Sequence, residues 1–222
     1  MTAGAVSDAT RTLLVYGDSN THGTLPMPDL GALGRHPRGV RWPDVAAADL
    51  GPGWEVIAEG HPGRTTVHDD PIEGRHKNGL SVLPALLETH RPVDVVALLL
   101  GTNDLKARYR LPPVDVALGA EKLVMAVRAS TAGPGGAAPA VLLIAPPPIL
   151  EAGCLAGIFA GGAALSLTLG AGYAEVAQRQ GVAYLDAGTV LASDPVDGVH
   201  WDAAAHAALG RAVAGLVQRH WP

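Results

Sequence analysis

Thr12-Leu13-Leu14-Val15-Tyr16-Gly17-Asp18-Ser19-Asn20-Thr21-His22-Gly23 is the stretch on which the fold turns. Its first five residues are apolar or β-branched, the composition of a buried strand. Gly17 and Gly23 bracket the polar part and allow the backbone to turn sharply. Open α/β sheets bind ligands at the carboxyl ends of their strands, and Ser19 falls at such an end. On this segment alone helix capping competes with chemistry, because Asp18, Ser19 and Asn20 are good caps and turn formers.

Working outward, strand and helix patterns alternate. The Pro/Gly-rich residues 24–39 read as irregular surface, and Trp42-Pro43-Asp44 opens a helix to Leu50. A second strand is expected at 54–59, a loop at 60–66 and a helix at 80–90. Residues 93–100 form the clearest buried strand, an almost unbroken aliphatic run ending in Gly101-Thr102-Asn103-Asp104. Apolar spacing at Val116, Leu123, Val124 and Val127 predicts a helix over 115–129. A fourth strand at 140–145 stops at Pro146-Pro147-Pro148, a long helical region runs to about Arg179, and a fifth strand spans 182–185. Asp197-Gly198-Val199-His200 is a loop, and a closing helix covers 203–219. This alternation specifies a parallel sheet covered by helices on both faces, an α/β three-layer α/β/α sandwich. Right-handed crossovers bring all strand carboxyl ends to one edge, where Ser19, Gly63, Asn103 and Asp197/His200 would converge. One domain over residues 11–222 is expected, preceded by a frayed N-terminus at 1–10.

Composition narrows the function. Lys plus Arg number 16 against 21 Asp plus Glu, a formal net charge of −5, and no basic run or basic helix face is present. Nucleic acid and anionic membrane surfaces are therefore not expected partners. The single Cys154 cannot close an intrachain disulfide, which fits a reducing compartment; with no signal-peptide pattern in residues 1–10, a cytoplasmic location is expected. Residues 152–172 carry no charge and include Gly153, Gly157 and Gly161, spaced as in packed membrane helices. Ser166, Thr168 and flanking Glu151 and Glu175 favour instead a water-soluble helix with one apolar face, suited to a subunit contact or a substrate lip.

The loops then have to be read together. Asp197 and His200, three residues apart in a turn entering a helix, can place a carboxylate on one ring nitrogen and leave the other free to take a proton from a serine. An unperturbed histidine pKa near 6.5 suits general-base work. Ser19 would be the nucleophile, inert until His200 accepts its proton. The backbone N–H groups of Ser19 and Gly63 and the side-chain amide of Asn103 are candidate oxyanion donors. Each residue has a plainer reading: Gly63 as a turn glycine, Asn103 or Asp197 as a cap, and His200 as one of nine histidines. Their common position after successive strands favours the chemical reading.

Gly17-Asp18-Ser19, Gly63-Arg64-Thr65-Thr66, Gly101-Thr102-Asn103-Asp104 and Asp197-Gly198-Val199-His200, in this order, resemble the four blocks of the SGNH/GDSL hydrolase family. The resemblance runs from Leu13 to the final helix. It implies a flavodoxin-like sheet of order 2-1-3-4-5, Ser19 as nucleophile, His200 as base, Asp197 as its orienter, and an oxyanion hole from Ser19, Gly63 and Asn103. Val40-Arg41-Trp42, Asp69-Asp70-Pro71, Leu105-Lys106, Pro146-Pro147-Pro148 and Ile158-Phe159 are similar to the bacterial arylesterase/acyltransferase branch. That similarity implies hydrolysis of short-chain esters, acyl transfer to alcohols or peroxide in some members, and assembly into homo-oligomers. Asn20 replaces the leucine of the usual GDSL block, beside the nucleophile.

Substrate contacts are expected from Asn20, Thr102, Lys106, Ile158, Phe159 and Val199. The expected partner is a small ester, and the chemistry requires no metal or organic cofactor. Two competitors stand beside the serine esterase reading. One is a carbohydrate O-acetylesterase, against which the small aromatic content of four Trp, four Tyr and one Phe weighs mildly. The other is a Mg²⁺-dependent or phosphate-binding flavodoxin-like domain using Asp18, Asp104 and Asp197.

Overall fold

A computed structural model describes residues 10–222. Five parallel strands form one sheet in the order β2-β1-β3-β4-β5: β1 Arg11–Gly17, β2 Trp54–Gly60, β3 Val95–Leu99, β4 Ala140–Ala145 and β5 Ala183–Asp186. Among the described residues seven α-helices accompany them: α1 Ser19–His22, α2 Trp42–Leu50, α3 Gly79–His90, α4 Pro113–Ala129, α5 Gly162–Ser166, α6 Leu169–Gln180 and α7 Ala203–His220. The order 2-1-3-4-5 and the three layers match what the sequence resemblance implies. The expected frayed N-terminus at 1–10 lies almost wholly outside the described residues.

The period of two along a strand sorts the core into halves. From β1, Leu14 and Tyr16 face the α3, α4 and α6 side, where they meet Leu83, Leu123, Val124 and Tyr173. Leu13 and Val15 face the α2 and α7 side, with Trp42, Leu209, Val213 and Val217. Both faces are covered, which is why β1 and β3 read as continuous apolar runs rather than alternating ones. Each such buried Leu is worth about 2–5 kcal/mol against its truncation to alanine, because the core cannot fully close over the gap.

Caps set the helix starts that frame the strand ends. Asn78 Oδ1 accepts from the Ser81 N–H at the start of α3, and Asp202 Oδ1 accepts from the Ala205 N–H at the start of α7. Asp202, not Asp197, therefore caps the closing helix, and Asp197 is released for other contacts.

The expected single helix across 152–172 is not formed. Gly153–Leu155 is a 3₁₀ turn, α5 is five residues long, and α6 begins only at Leu169. Gly161 stands at φ +83°, a left-handed conformation that cannot continue a helix. Leu155, Phe159 and Leu169 from this segment are buried within the chain, whereas Leu167 is 72 % exposed. Among the described residues no helix is long and apolar enough to cross a membrane.

Candidate active site

Parallel register places the strand ends level. Gly17 pairs with Gly60 of β2 and with Leu99 of β3, so the loops after these three strands emerge together. Beyond β1 the chain turns at once into α1. Asp18 caps it, accepting from the Asn20 N–H at 2.9 Å, and Ser19 is its first residue.

The loop after β5 returns across this edge. His200 Nδ1 lies 2.7 Å from Asp197 Oδ2, and Nε2 lies 3.0 Å from Ser19 Oγ. A carboxylate can only accept, so Nδ1 carries the proton and donates, and Nε2 is left to accept from the Ser19 hydroxyl. Asp197 is fully buried and saturated with donors. Oδ1 accepts from the N–H groups of Val199 and His200, both at 2.9 Å, and Oδ2 also accepts from Met27 N–H at 2.6 Å. Burial alone would raise its pKa; the His200 hydrogen bond and charge and the backbone donors outweigh burial and bring it down to about 2. Asp197 thus stays an anion in the dry interior.

Asn103 sits 5 % exposed in a 3₁₀ turn after β3. Its Nδ2 donates to Arg64 O at 3.1 Å and, at a longer 3.3 Å, to Asp18 Oδ2. Gly63, which borders the same cavity as Ser19, adopts φ +80°, a conformation that side chains resist. Among the described residues no acceptor takes the N–H of Ser19 or of Gly63. Two further contacts lock the loops. Asp104 accepts from Thr66 N–H and from Thr66 Oγ1 at 2.5 Å. The Arg64 guanidinium lies over the Tyr16 ring at 4.2 Å and donates to Gly17 O at 2.8 Å and to Glu59 O. Burial pushes the Asp18 carboxyl up to about 6, against the Asn20 N–H and the His200 and Arg64 charges.

Ser19, His200, Gly63 and Asn103 border a cavity of about 280 Å³. Lys106, Ile158, Phe159 and Val199, four of the residues expected to contact substrate, also line it. Asn20 and Thr102, the other two residues expected to contact substrate, are not among its lining residues. Asn20 is 2 % exposed and spends its amide on Val199 O at 3.1 Å, tying the nucleophile turn to the histidine loop; Thr102 is 4 % exposed. Asp18, Asp104 and Asp197, the alternative cation set, are engaged separately with Asn20 and Asn103, with Thr66, and with His200. Among the described residues no three His, Cys, Asp or Glu side chains come together as metal ligands.

Sequence reasoning missed one wall. Met27, Leu30 and Leu33, from the passage expected to be plain surface, line the cavity, and the Met27 backbone holds Asp197. No periodicity marks that passage, so only its apolar side chains scattered among Pro and Gly hinted at a role. Glu73 was missed as well, since it reads as one more surface charge.

An α/β/α sandwich with a serine, a histidine and a carboxylate in hydrogen-bonded series at its strand ends defines a serine hydrolase. Residues 15–208 match the model of the GDSL-like lipase/acylhydrolase family. The chain belongs to that family and is a carboxylic ester hydrolase. It is similar to the crystal structure of Est24, a carbohydrate acetylesterase from Sinorhizobium meliloti, with 37 % identity over 95 % of this chain and 100 % of that one and a TM-score of 0.91. The native aryl esterase of M. smegmatis is 41 % identical over 94 % of this chain and 99 % of its own, with a TM-score of 0.90. A further carbohydrate acetylesterase family member from Sinorhizobium meliloti is 38 % identical over 94 % and 98 % of the two chains, with a TM-score of 0.86. No curated protein is matched by the chain.

Proposed function

We propose that residues 11–222 form one catalytic domain that cleaves short-chain aryl and alkyl esters through an acyl-enzyme on Ser19. The observation that carries this reading is the Ser19–His200–Asp197 series bordering a small cavity. Ser19 Oγ attacks the ester carbonyl as Nε2 of His200 takes its proton, and Asp197 stabilises the imidazolium. The oxyanion is held by the N–H groups of Ser19 and Gly63 and by Asn103 Nδ2, whose long contact to Asp18 yields to a stronger charged acceptor. His200 then gives its proton to the departing alcohol. Water, an alcohol or peroxide next loses its proton to His200 and releases the acyl group. At about 280 Å³ the cavity admits a short acyl chain and a compact alcohol. A p-nitrophenyl ester chain-length series, run with and without an added alcohol, tests the reading. Turnover is expected to be greatest at acetate to butyrate, with part of the acyl group passing to the alcohol; absence of hydrolysis throughout the series rejects the function.

Asn103→Ala is expected to lower kcat by roughly 10²- to 10³-fold with a smaller effect on KM, because the donation strengthens only as charge develops. Kinetics and a melting curve on one preparation check this. A loss of stability with normal kcat removes Asn103 from the oxyanion hole.

The similarity to Est24 favours a second reading, deacetylation of carbohydrates. Acetylated sugars added to the same assay distinguish the two.

The protein is further proposed to act in the cytoplasm as a homo-oligomer, without nucleic-acid or membrane partners. Its net charge of −5 and single cysteine support the location and the lack of such partners. The assembly is supported at the cavity mouth, where Leu33 is 95 % and Leu30 62 % exposed. Covering them removes apolar surface from water at about 25 cal/mol per Å² and narrows the entrance. Light scattering is expected to give a multiple of the monomer mass and a lower mass for Leu33→Asp. A wild-type monomer at micromolar concentration rejects assembly.

A further inference from the structure

Among the described residues Glu73 is the one acidic side chain bordering the cavity, and its two carboxylate oxygens have different surroundings. Oε1 accepts from Lys106 Nζ at 2.5 Å, with Arg108 Nη1 at 3.5 Å. Lys106 and Arg108 are held in turn by the buried Asp70, at 3.5 and 2.9 Å. Its backbone is fixed as well, since Glu73 N–H donates to Asp70 Oδ1 at 2.9 Å. Oε2 takes no hydrogen bond among the described residues. It stands 2.5 Å from where a side chain on Gly63 would begin, so it lies against the backbone that offers the Gly63 N–H. A pinned carboxylate therefore presents an open acceptor beside the carbonyl-binding position, in a cavity whose remaining walls are largely apolar.

We propose that Glu73 Oε2 accepts a hydrogen bond from a hydroxyl on the ester, making a subsite for hydroxylated substrates such as polyol or sugar esters. This rests on the esterase reading and adds a specificity-determining residue to it. The charge around Glu73 selects a neutral hydroxyl over an ammonium group. Glu73 and Asp70 are already balanced by Lys106 and Arg108, and the Lys77 stem packs on the same side of Gly63. A further cation would meet net positive charge. A hydroxyl donates to Oε2 without adding charge, and hydrogen bonds to an ionised acceptor are the strong ones.

Glu73→Gln isolates the effect. The amide oxygen stays with Lys106, which can only donate, so the NH₂ group takes the place of Oε2 and an acceptor becomes a donor. The measurement is kcat/KM for two matched pairs, glycerol monoacetate against propyl acetate and methyl lactate against methyl propionate. The first pair carries the hydroxyl on the alcohol half and the second on the acyl half. In Glu73→Gln and Glu73→Ala the hydroxylated-to-plain ratio is expected to fall about tenfold for one pair, which identifies the half that reaches Glu73. A purely structural role shifts both members of a pair alike, so unchanged ratios in both pairs overturn the proposal, as does a loss confined to acetylcholine in a parallel assay. If the wild type hydrolyses none of these esters nor the p-nitrophenyl series, the esterase reading falls and this one with it. Hydrolysis with unchanged ratios rejects the subsite alone.

Discussion

Replacing Ser19 with alanine is expected to lower kcat by about six orders of magnitude while leaving the melting temperature close to that of the wild type. The size of the loss follows from the chemistry: without Oγ no acyl-enzyme forms, and only the oxyanion donors and the cavity remain to promote attack by water. The fold should tolerate the change. Ser19 Oγ has His200 Nε2 as its partner, and the α1 cap belongs to Asp18. Steady-state hydrolysis of p-nitrophenyl acetate measures the effect. Intact-mass analysis after treatment with a fluorophosphonate provides the second check, with one adduct expected on the wild type and none on Ser19→Ala. An adduct on a different serine would falsify the assignment.

Asp197→Asn is expected to lower kcat by about 10⁴, through the histidine tautomer. Oδ1 of Asp197 faces the N–H groups of Val199 and His200, so an asparagine would keep its carbonyl oxygen there. Its NH₂ group would then stand at the position of Oδ2, facing His200 Nδ1 and the Met27 N–H. To meet a donor, Nδ1 must become the acceptor, and the ring proton moves to Nε2. His200 can no longer take the Ser19 proton in that state. The Met27 N–H loses its acceptor too, so some stability should go with the activity, on the order of 1–3 kcal/mol. A pH–rate profile and a melting curve on the variant separate these effects. A variant that melts lower yet turns over at the wild-type rate would show that Asp197 only anchors the Met27 loop.

Much of this architecture is legible in the amino-acid sequence. The apolar runs in β1, β3 and β4 are unbroken and aliphatic because helices cover both faces of the sheet, and that burial leaves a strong compositional mark. Ser19, Gly63, Asn103, Asp197 and His200 are legible because each follows a strand, and parallel topology sends all strand ends to one edge. The glycine-rich segment after β4 is less legible. Its apolar content suggests one helix, but the Gly161 conformation breaks it, and a backbone preference of that kind is decided by what the neighbouring turns must reach.

What the sequence determined by itself was therefore the α/β class, the family resemblance and the order of the chemical blocks along the chain. These follow from local composition and from the fixed hand of parallel crossovers. The tertiary structure alone decided which side chains share the cavity. Asn20 adjoins Ser19 in the chain, yet its amide goes to Val199 O; Met27 lies 170 residues from Asp197, yet holds its carboxylate. Glu73 became visible as an acceptor only when Lys106 and Gly63 were placed around it. Such assignments depend on distances between loops that are far apart in the chain, and no local pattern of residues encodes a distance of that kind.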